Sequence, residues 1–257
     1  MKVIFAGTAS GIATRTRFHN NILLESQGHV LLLDGGEPLS ALLIRRGTEL
    51  ETIDGMIISH LHPDHAGALP QLIQTFQISR RKTPFKVLMP AEGVELYRKF
   101  LDMLYLFDRA LPFPLELAGI DSGVTQRVGL FSLESMPNRH LEALRNLAAE
   151  QGLSNGGQSY SFAVSCEERR IVYSGDVRSS LELIPLLEKR TDLLILEMAH
   201  FAPEEFRTLW EQGAPRRAVL THFHPDLDVS PEKTLAEIFR PWGDRVVFAR
   251  DGMEVKL

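Results

Sequence analysis

An α/β fold is what this sequence predicts, and three observations predict it. Short β-rich apolar runs, mostly bounded by Gly, Pro, Asn or Asp, alternate with segments whose apolar residues recur every three or four positions. Hydrophobic residues make up 44% of the 257, enough to fill a substantial core. No low-complexity linker or short repeat divides the chain. Strands are expected at Val3 to Ala6, Ile22 to Glu25, Val30 to Leu33, Met56 to Ser59 and Val87 to Met89, then at Leu130 to Ser135, Tyr160 to Ser165, Ile171 to Ser174, Leu193 to Leu196, Ala218 to Thr221 and Val246 to Phe248. Helices are expected at Leu39 to Arg46, Leu69 to Ile78, Val94 to Phe107, Leu141 to Gln151, Leu181 to Lys189, Glu204 to Glu211 and Pro231 to Phe239. The chain reads as a single domain, residues 1–257, whose two α/β halves meet near 110–125, with Leu111-Pro112-Phe113-Pro114-Leu115 as a stiff crossover.

Charge and cysteine usage narrow the partners. A net charge of -5 supplies no global attraction toward nucleic acid or an anionic membrane. The doublets Arg45-Arg46, Arg169-Arg170 and Arg216-Arg217 and the triplet Arg80-Arg81-Lys82 fall between expected elements and read as solvated turns. One cysteine, Cys166, leaves no disulfide framework and no multi-cysteine metal site, which fits a reducing cytoplasm. The N-terminal residues read directly as a strand, and the sequence contains no 18-residue apolar run, so neither secretion nor membrane spanning is expected.

The strongest chemical signal is His60-Leu61-His62-Pro63-Asp64-His65, directly after the apolar run Met56-Ile57-Ile58-Ser59. Three imidazoles and a carboxylate within six residues suit zinc, manganese or ferrous iron, and a strand end running into a turn lets such side chains converge on one cavity. A solvated polar loop is the competing reading. The density of ligand-type residues behind a buried strand argues against it.

This H-x-H-x-D-H pattern resembles the signature of the metallo-β-lactamase superfamily, and the rest of the chain carries candidates for the further motifs in order. His140 follows Met136-Pro137-Asn138-Arg139, Asp176 ends Tyr173-Ser174-Gly175-Asp176, and His222 ends Val219-Leu220-Thr221-His222. Alone, His140 is an ordinary cap-region residue and Asp176 a turn residue; in this order behind the first motif they gain weight. The resemblance implies a four-layer αββα fold, two mixed sheets sandwiched between helices. It implies a metal-dependent hydrolase with two divalent ions, zinc first and manganese or iron as alternatives. His60, His62 and His140 would surround one ion, Asp64, His65 and His222 the other, with Asp176 bridging. Metals so placed can share a hydroxide made available near neutral pH, which Asp64 can orient or relieve of a proton.

Within that superfamily the chain is similar to ribonuclease Z and its phosphodiesterase relatives, through Phe5-Ala6-Gly7-Thr8-Ala9-Ser10-Gly11, Leu33-Asp34-Gly35-Gly36, Tyr173-Ser174-Gly175-Asp176 and Leu220-Thr221-His222-Phe223. This favours a phosphodiester over a thioester or β-lactam. Two departures count against a tRNA-processing enzyme. Where those enzymes carry His-Glu-Ala-Thr, with the His assisting the leaving group, this chain has Leu196-Glu197-Met198-Ala199; His200 is the candidate replacement but needs a different backbone path from an extended segment. There is also no Gly/Pro/Lys-rich arm between His140 and Asp176, so a small cyclic phosphodiester or a short nucleic-acid end is the expected substrate.

Other candidates are less pointed. His224 is balanced between facing substrate and decorating its loop, His19 reads as a loop residue, and His29 as a turn residue opening a strand. The segment Leu96 to Phe107, with Tyr97, Phe100, Tyr105 and Phe107, reads as core or as the contact of a homodimer. The same ligand set would also serve a carbonyl-ester, lactone or thioester hydrolase. A mononuclear iron dioxygenase or a non-catalytic metal-binding protein would use it differently.

Overall fold

The structure is a computed structural model that describes residues 1–227 and 231–257. Two sheets carry it. The first takes β1 (Lys2–Gly7), β2 (Asn21–Ser26), β3 (His29–Leu33), β4 (Ile53–Ile57), β5 (Phe85–Met89) and β6 (Leu115–Gly119). The second takes β7 (Gln126–Val128), β8 (Phe131–Pro137), β9 (Tyr160–Cys166), β10 (Arg169–Tyr173), β11 (Leu193–Glu197), β12 (Ala218–Thr221) and β13 (Val246–Phe248). The last strand, β14 (Met253–Lys256), returns to pair antiparallel with β1. The order is β14-β1-β2-β3-β4-β5-β6 in one sheet and β13-β12-β11-β10-β9-β8-β7 in the other. Both are mixed: β3 to β6 run parallel, as do β10 to β13, and the remaining pairings are antiparallel.

Burial follows the strand period of two on both faces. In β1, Val3 and Phe5 enter the core between the sheets, while Ile4 and Ala6 face a second apolar cluster on the outside. In β3, Leu31 and Leu33 go inward and Val30 and Leu32 outward. Strands that bury both faces need continuous apolar runs, which is why these segments stood out in the sequence. The outer cluster is closed by α1 (Leu39–Arg46), by a single helical turn, α2 (Pro63–Ala66), and by α3 (Leu69–Ile78), through Leu39, Leu43, Ala66, Leu69, Leu72, Ile73 and Phe76. The helices that follow are α4 (Ala91–Met103), α5 (Glu142–Glu150), α6 (Ile184–Leu187), α7 (Glu205–Gly213) and α8 (Pro231–Phe239). Phe206, Leu209 and Trp210 of α7 pack beneath the second sheet. The arrangement is the expected αββα sandwich.

Several local expectations need correction. Strands β6, β7 and β14 gave no recognised sequence signal; each is a sheet edge, where one side of the ladder is unpaired and the apolar run is short. The Leu111–Leu115 segment is not the crossover, because Leu115 already opens β6 and the chain changes sheets between Gly119 and Gln126. The strand expected at Met56 to Ser59 runs from Ile53 to Ile57, leaving Ser59 in the turn. The helix expected over Leu181 to Lys189 is a 3-10 turn followed by α6, with Pro185 in its first turn. Arg45 and Arg46 lie in the last turn of α1, and Arg169 and Arg170 open β10. Arg81 is not a solvated turn residue: it is 1% exposed, its guanidinium donates to the carbonyls of Leu50, Ile53, Thr83 and Pro84, and it lies 4.7 Å from the Phe76 ring centroid. Those acceptors and the ring face offset the cost of burying the charge.

Candidate metal centre

The first-motif turn is held by the backbone around it. Pro63 at the first position of α2 presets φ, and the amides of His65 and Ala66 both bond to the His62 carbonyl. The loop after β3 clamps the turn: Gly35 N–H donates to His65 O at 2.6 Å, and Ala68 N–H to Gly35 O at 2.9 Å. Gly36 is required here, since a Cβ would lie 2.3 Å from Asp64 O. From the other sheet, Gly175 (φ +55°) passes so close that a Cβ would fall 2.9 Å from Ser59 Cβ. Two glycines thus let both strand ends approach the histidine turn.

The remaining polar residues arrive from the C-terminal ends of neighbouring parallel strands, the usual location of sites in such sheets. Asp176 follows β10, His200 follows β11 and His222 follows β12; His140 comes from the segment after β8. His222 sits at φ +57° and Asp34, after β3, at φ +58°, backbone strain of the kind that gathers at functional sites.

The side chains expected as ligands meet in two groups. In the first, His60 Nε2 lies 3.0 Å from His62 Nδ1, and His140 Nε2 lies 3.4 Å from that same nitrogen. In the second, His65 Nε2 is 3.2 Å from Asp64 Oδ2 and 3.3 Å from Asp176 Oδ1, and His222 Nε2 is 3.2 Å from Asp176 Oδ2. Asp176 Oδ2 also faces the first group, 3.8 Å from His60 Nε2 and 3.7 Å from His140 Nε2. Ligands about 2.1 Å from a tetrahedral ion stand roughly 3.4 Å apart, so these spacings fit such an ion in each group. The buried atoms His65 Nε2, Asp176 Oδ1 and His222 Nε2 lack any hydrogen-bond partner. Burying such groups unpaired is costly, and a cation would satisfy all three.

Outer contacts aim the rings. Asp34, fully buried, accepts from Ser59 N–H at 2.6 Å, Ser59 Oγ at 2.8 Å, His65 Nδ1 at 2.7 Å and the Tyr173 hydroxyl. The Tyr173 hydroxyl oxygen in turn accepts from Asn20 Nδ2 at 2.6 Å. With Nδ1 of His65 donating to Asp34, its Nε2 is left as the lone-pair nitrogen toward the cavity. Ser59 Oγ, having given its proton to Asp34, can accept from His60 Nδ1 at 3.1 Å, which frees His60 Nε2 likewise.

The electrostatics divide along the same line. Burial pushes His60 well below the ordinary imidazole range, lowers His62, and takes His140 down to about 4, so all three are neutral donors of a lone pair. Burial also works against the charged forms in the second group but loses there: His222 and His65 hold Asp176 well below the usual carboxylate range, His65 does so for Asp64, and Asp176 with Asp34 raises His65.

His200 enters the cavity, which an extended continuation of β11 would not allow. The Glu197 carboxylate, 1% exposed, folds residues 197–200 into a turn by accepting from the amides of Ala199 (2.6 Å) and His200 (3.2 Å). The ring then lies with Nδ1 3.1 Å from Glu197 Oε1 and 3.6 Å from Asp176 Oδ2, its centroid 4.7 Å from that of His140. Burial disfavours its cation, yet the Glu197 hydrogen bond and charge raise His200 to about 9. Glu197 and Tyr173 were not singled out from the sequence. A carboxylate next to the departed histidine position was the available signal for Glu197; Tyr173 reads as an ordinary strand aromatic.

Other histidines stay outside. His224 is exposed and faces Asp226 at 3.2 Å. His19 Nε2 accepts from Ala13 N–H at 3.1 Å, holding its own loop. His29 opens β3 and meets Asp54 at 2.9 Å.

A family model described as Anti-Pycsar protein Apyc1 matches residues 1–228. A ribonuclease Z of Methanococcus maripaludis is 32% identical over 128 residues, which is 50% of this chain and 41% of that relative. The ribonuclease Z of Myxococcus xanthus is 24% identical over 305 aligned positions, covering 100% of this chain and 98% of the relative. Since 305 positions exceed the 257 residues here, that relative carries insertions this chain lacks. Among solved structures, the metallo-β-lactamase fold protein YhfI of Bacillus subtilis superposes with a TM-score of 0.78 at 18% identity, over 99% of this chain and 98% of that one. The short form of human tRNase Z superposes at 0.74 and 21% identity, over 100% and 99%. These likenesses show the metallo-β-lactamase fold.

Proposed function

The chain belongs to the Apyc1 anti-Pycsar family, within the metallo-β-lactamase superfamily and similar to ribonuclease Z, and from that premise we propose that it is a metal-dependent phosphodiesterase using two divalent ions, zinc first. The observation that carries this reading is the pair of ligand groups sharing Asp176, with buried nitrogen and oxygen atoms left unpaired toward one cavity. His60, His62 and His140 would hold one ion; Asp64, His65 and His222 the other; Asp176 would touch both. When bound, such ions supply a water nucleophile at neutral pH and offset the charge gathering on a phosphoryl group.

The chain's own groups do the rest. Asp64, kept ionised beside His65, orients the attacking water and accepts its proton. His200, its Nδ1 fixed by Glu197, delivers a proton to the departing alkoxide, the task the ribonuclease Z motif places four residues earlier. Between β8 and β9 only the 138–141 segment, α5 and the 151–159 segment intervene, with no basic arm, and the net charge of -5 gives no grip on a long polyanion. The substrate is therefore a small cyclic phosphodiester or a short nucleic-acid end. Among the described residues no helix is long and apolar enough to cross a membrane.

Protein loaded separately with zinc, manganese and iron, then offered bis(p-nitrophenyl) phosphate beside lactones and glutathione thioesters, tests the reading. Phosphodiester turnover is expected. Turnover of the carbonyl substrates alone would replace this assignment with an acyl hydrolase.

A further inference from the structure

The two ligand rings of the buried group are aimed by different means. His65 Nδ1 is held by Asp34 at 2.7 Å. His222 Nδ1 is buried and has no hydrogen-bond partner among the described residues. The direction of the His222 ring therefore depends on its backbone, which sits at φ +57°. A histidine keeps that left-handed conformation only where its surroundings fix it.

The fixing comes through the next residue. Phe223 N–H donates to Thr8 O at 2.9 Å, and Phe223 O accepts from Ser10 N–H at 3.1 Å. The loop after β1 is thus stitched to the end of β12, and one step further along it a Cβ on Gly11 would stand 3.8 Å from Asp64 Oδ2. Arg17, 5% exposed, closes the seam. Its Nη1 donates to Thr8 Oγ1 at 2.6 Å and to Ala249 O at 2.7 Å, and its guanidinium carbon lies 4.6 Å from the Phe223 ring centroid. Thr8 Oγ1 donates in turn to Asp251 Oδ1 at 2.6 Å, and Asp251 Oδ2 accepts from Phe18 N–H at 2.6 Å. Ala249 N–H donates to Leu220 O at 2.8 Å, on the strand that leads into His222. Segments 8–18, 220–223 and 249–251 meet at this one buried cation.

We propose that Arg17 is a positioning residue for His222: it locks Phe223 and Thr8 around the peptide that carries this ligand, acting through Phe223 rather than by touching the ion. The inference rests on the two-ion reading and deepens it. A guanidinium is costly to bury, and apolar side chains hold segments together at lower cost. What the cation adds is direction. Its donors and the ring face beneath it fix Phe223 in one place. A displaced Phe223 would carry His222 Nε2 with it, because no hydrogen bond at Nδ1 resists the movement. One nitrogen, Nη1, makes both of the hydrogen bonds to Thr8 and Ala249, so a lysine ammonium can replace it and a methionine of similar length cannot.

Zinc-binding isotherms of the full-length protein test this, with the Asp64, His65 and His222 site identified as the phase that Asp64→Ala weakens. Arg17→Met should weaken that phase about 10- to 100-fold, the usual weight of a residue that orients a metal ligand, and leave the other phase unchanged. Arg17→Lys should restore most of the loss. Visible spectra of the cobalt-loaded protein should change with Arg17→Met and return toward wild type with Arg17→Lys. A plain structural staple would lower the melting temperature and weaken both phases alike; that result, or an unweakened phase in Arg17→Met, overturns the proposal. If Arg17→Met does not fold, Thr8→Val, which removes the hydroxyl between Arg17 and Asp251, carries the test: a smaller loss in the same phase is expected, and no loss there overturns the proposal. Wild-type protein that binds only one ion would instead remove the two-ion reading, so the two failures are distinguishable.

Discussion

The two ligand groups sharing Asp176 are prepared to different degrees. His65 and His222 are buried, Asp64 nearly so, and behind them Asn20, Tyr173 and Asp34 form a hydrogen-bonded relay reaching His65. The His60, His62 and His140 group lies nearer the mouth: His62 and His140 are partly open, and among the described residues a brace reaches only the His60 ring, from Ser59. An ion in the buried group meets rings already oriented and carboxylates already ionised. An ion at the mouth must fix its own ligands, so it should be the weaker and more exchangeable of the two.

The largest expected effect is at the residue common to both groups. Asp176→Ala should bring phosphodiester turnover below detection under every metal, and residual activity above a few per cent would break the shared-ligand picture. Asp64→Ala and His62→Ala should each abolish turnover for different reasons, and binding isotherms separate them. The first should weaken the tighter metal-binding phase and the second the looser one; the opposite assignment would reverse the comparison. His200→Ala comes next, with kcat falling about 10²- to 10⁴-fold, the range for a lost general acid, at unchanged metal content. A drop below about tenfold would make His200 a bystander.

Smaller effects probe the bracing itself. Asp34→Asn should cost about 10- to 100-fold in affinity at the buried group, the usual weight of a residue that orients a metal-binding ring, and less at the other group, which it reaches only through Ser59 and His60. For metal-free protein, His200 contributes a pH-dependent increment. Its folded pKa, about 9, is raised by Glu197 above the usual 6.5, so the contribution is fully present below about pH 6.5 and lost as pH rises through about 9. Melting curves of wild type and His200→Gln should therefore differ most at pH 6 and converge above pH 9. A difference that grows with pH would contradict the Glu197 pairing.

What the sequence made legible follows from how strongly burial constrains residue choice. Strands inside the sheets, such as β3 and β11, bury both faces and show as unbroken apolar runs. Strands β6, β7 and β14 lie at edges and carry Glu116, Arg127 and Glu254 without penalty, which hides them. The aromatic segment ending α4 illustrates the converse. Its periodicity resembles a core stripe, yet Leu96, Met103 and Tyr105 are exposed, and chiefly Val94, Tyr97 and Leu101 pack inward; nothing in residue type distinguishes the two situations.

The site was readable where chemistry crowds residues together and opaque where only the fold does. His60 to His65 declare themselves within one turn. His140, Asp176 and His222 needed a pattern to join them to the first motif across the chain from position 60 to position 222. The entry of His200 depends on a turn that Glu197 makes with its own side chain, and the Tyr173 contact to Asp34 depends on the two sheets lying face to face; neither relation exists in local sequence.

Elemental analysis of purified protein, dialysed stepwise against increasing chelator, tests the proposed pair of ion sites most directly. About two zinc ions per chain should be found at the start, with a plateau near one as the mouth group empties, and Asp176→Ala should show neither level. Wild-type protein that never exceeds one ion, or an Asp176→Ala variant that still holds two, would contradict the account.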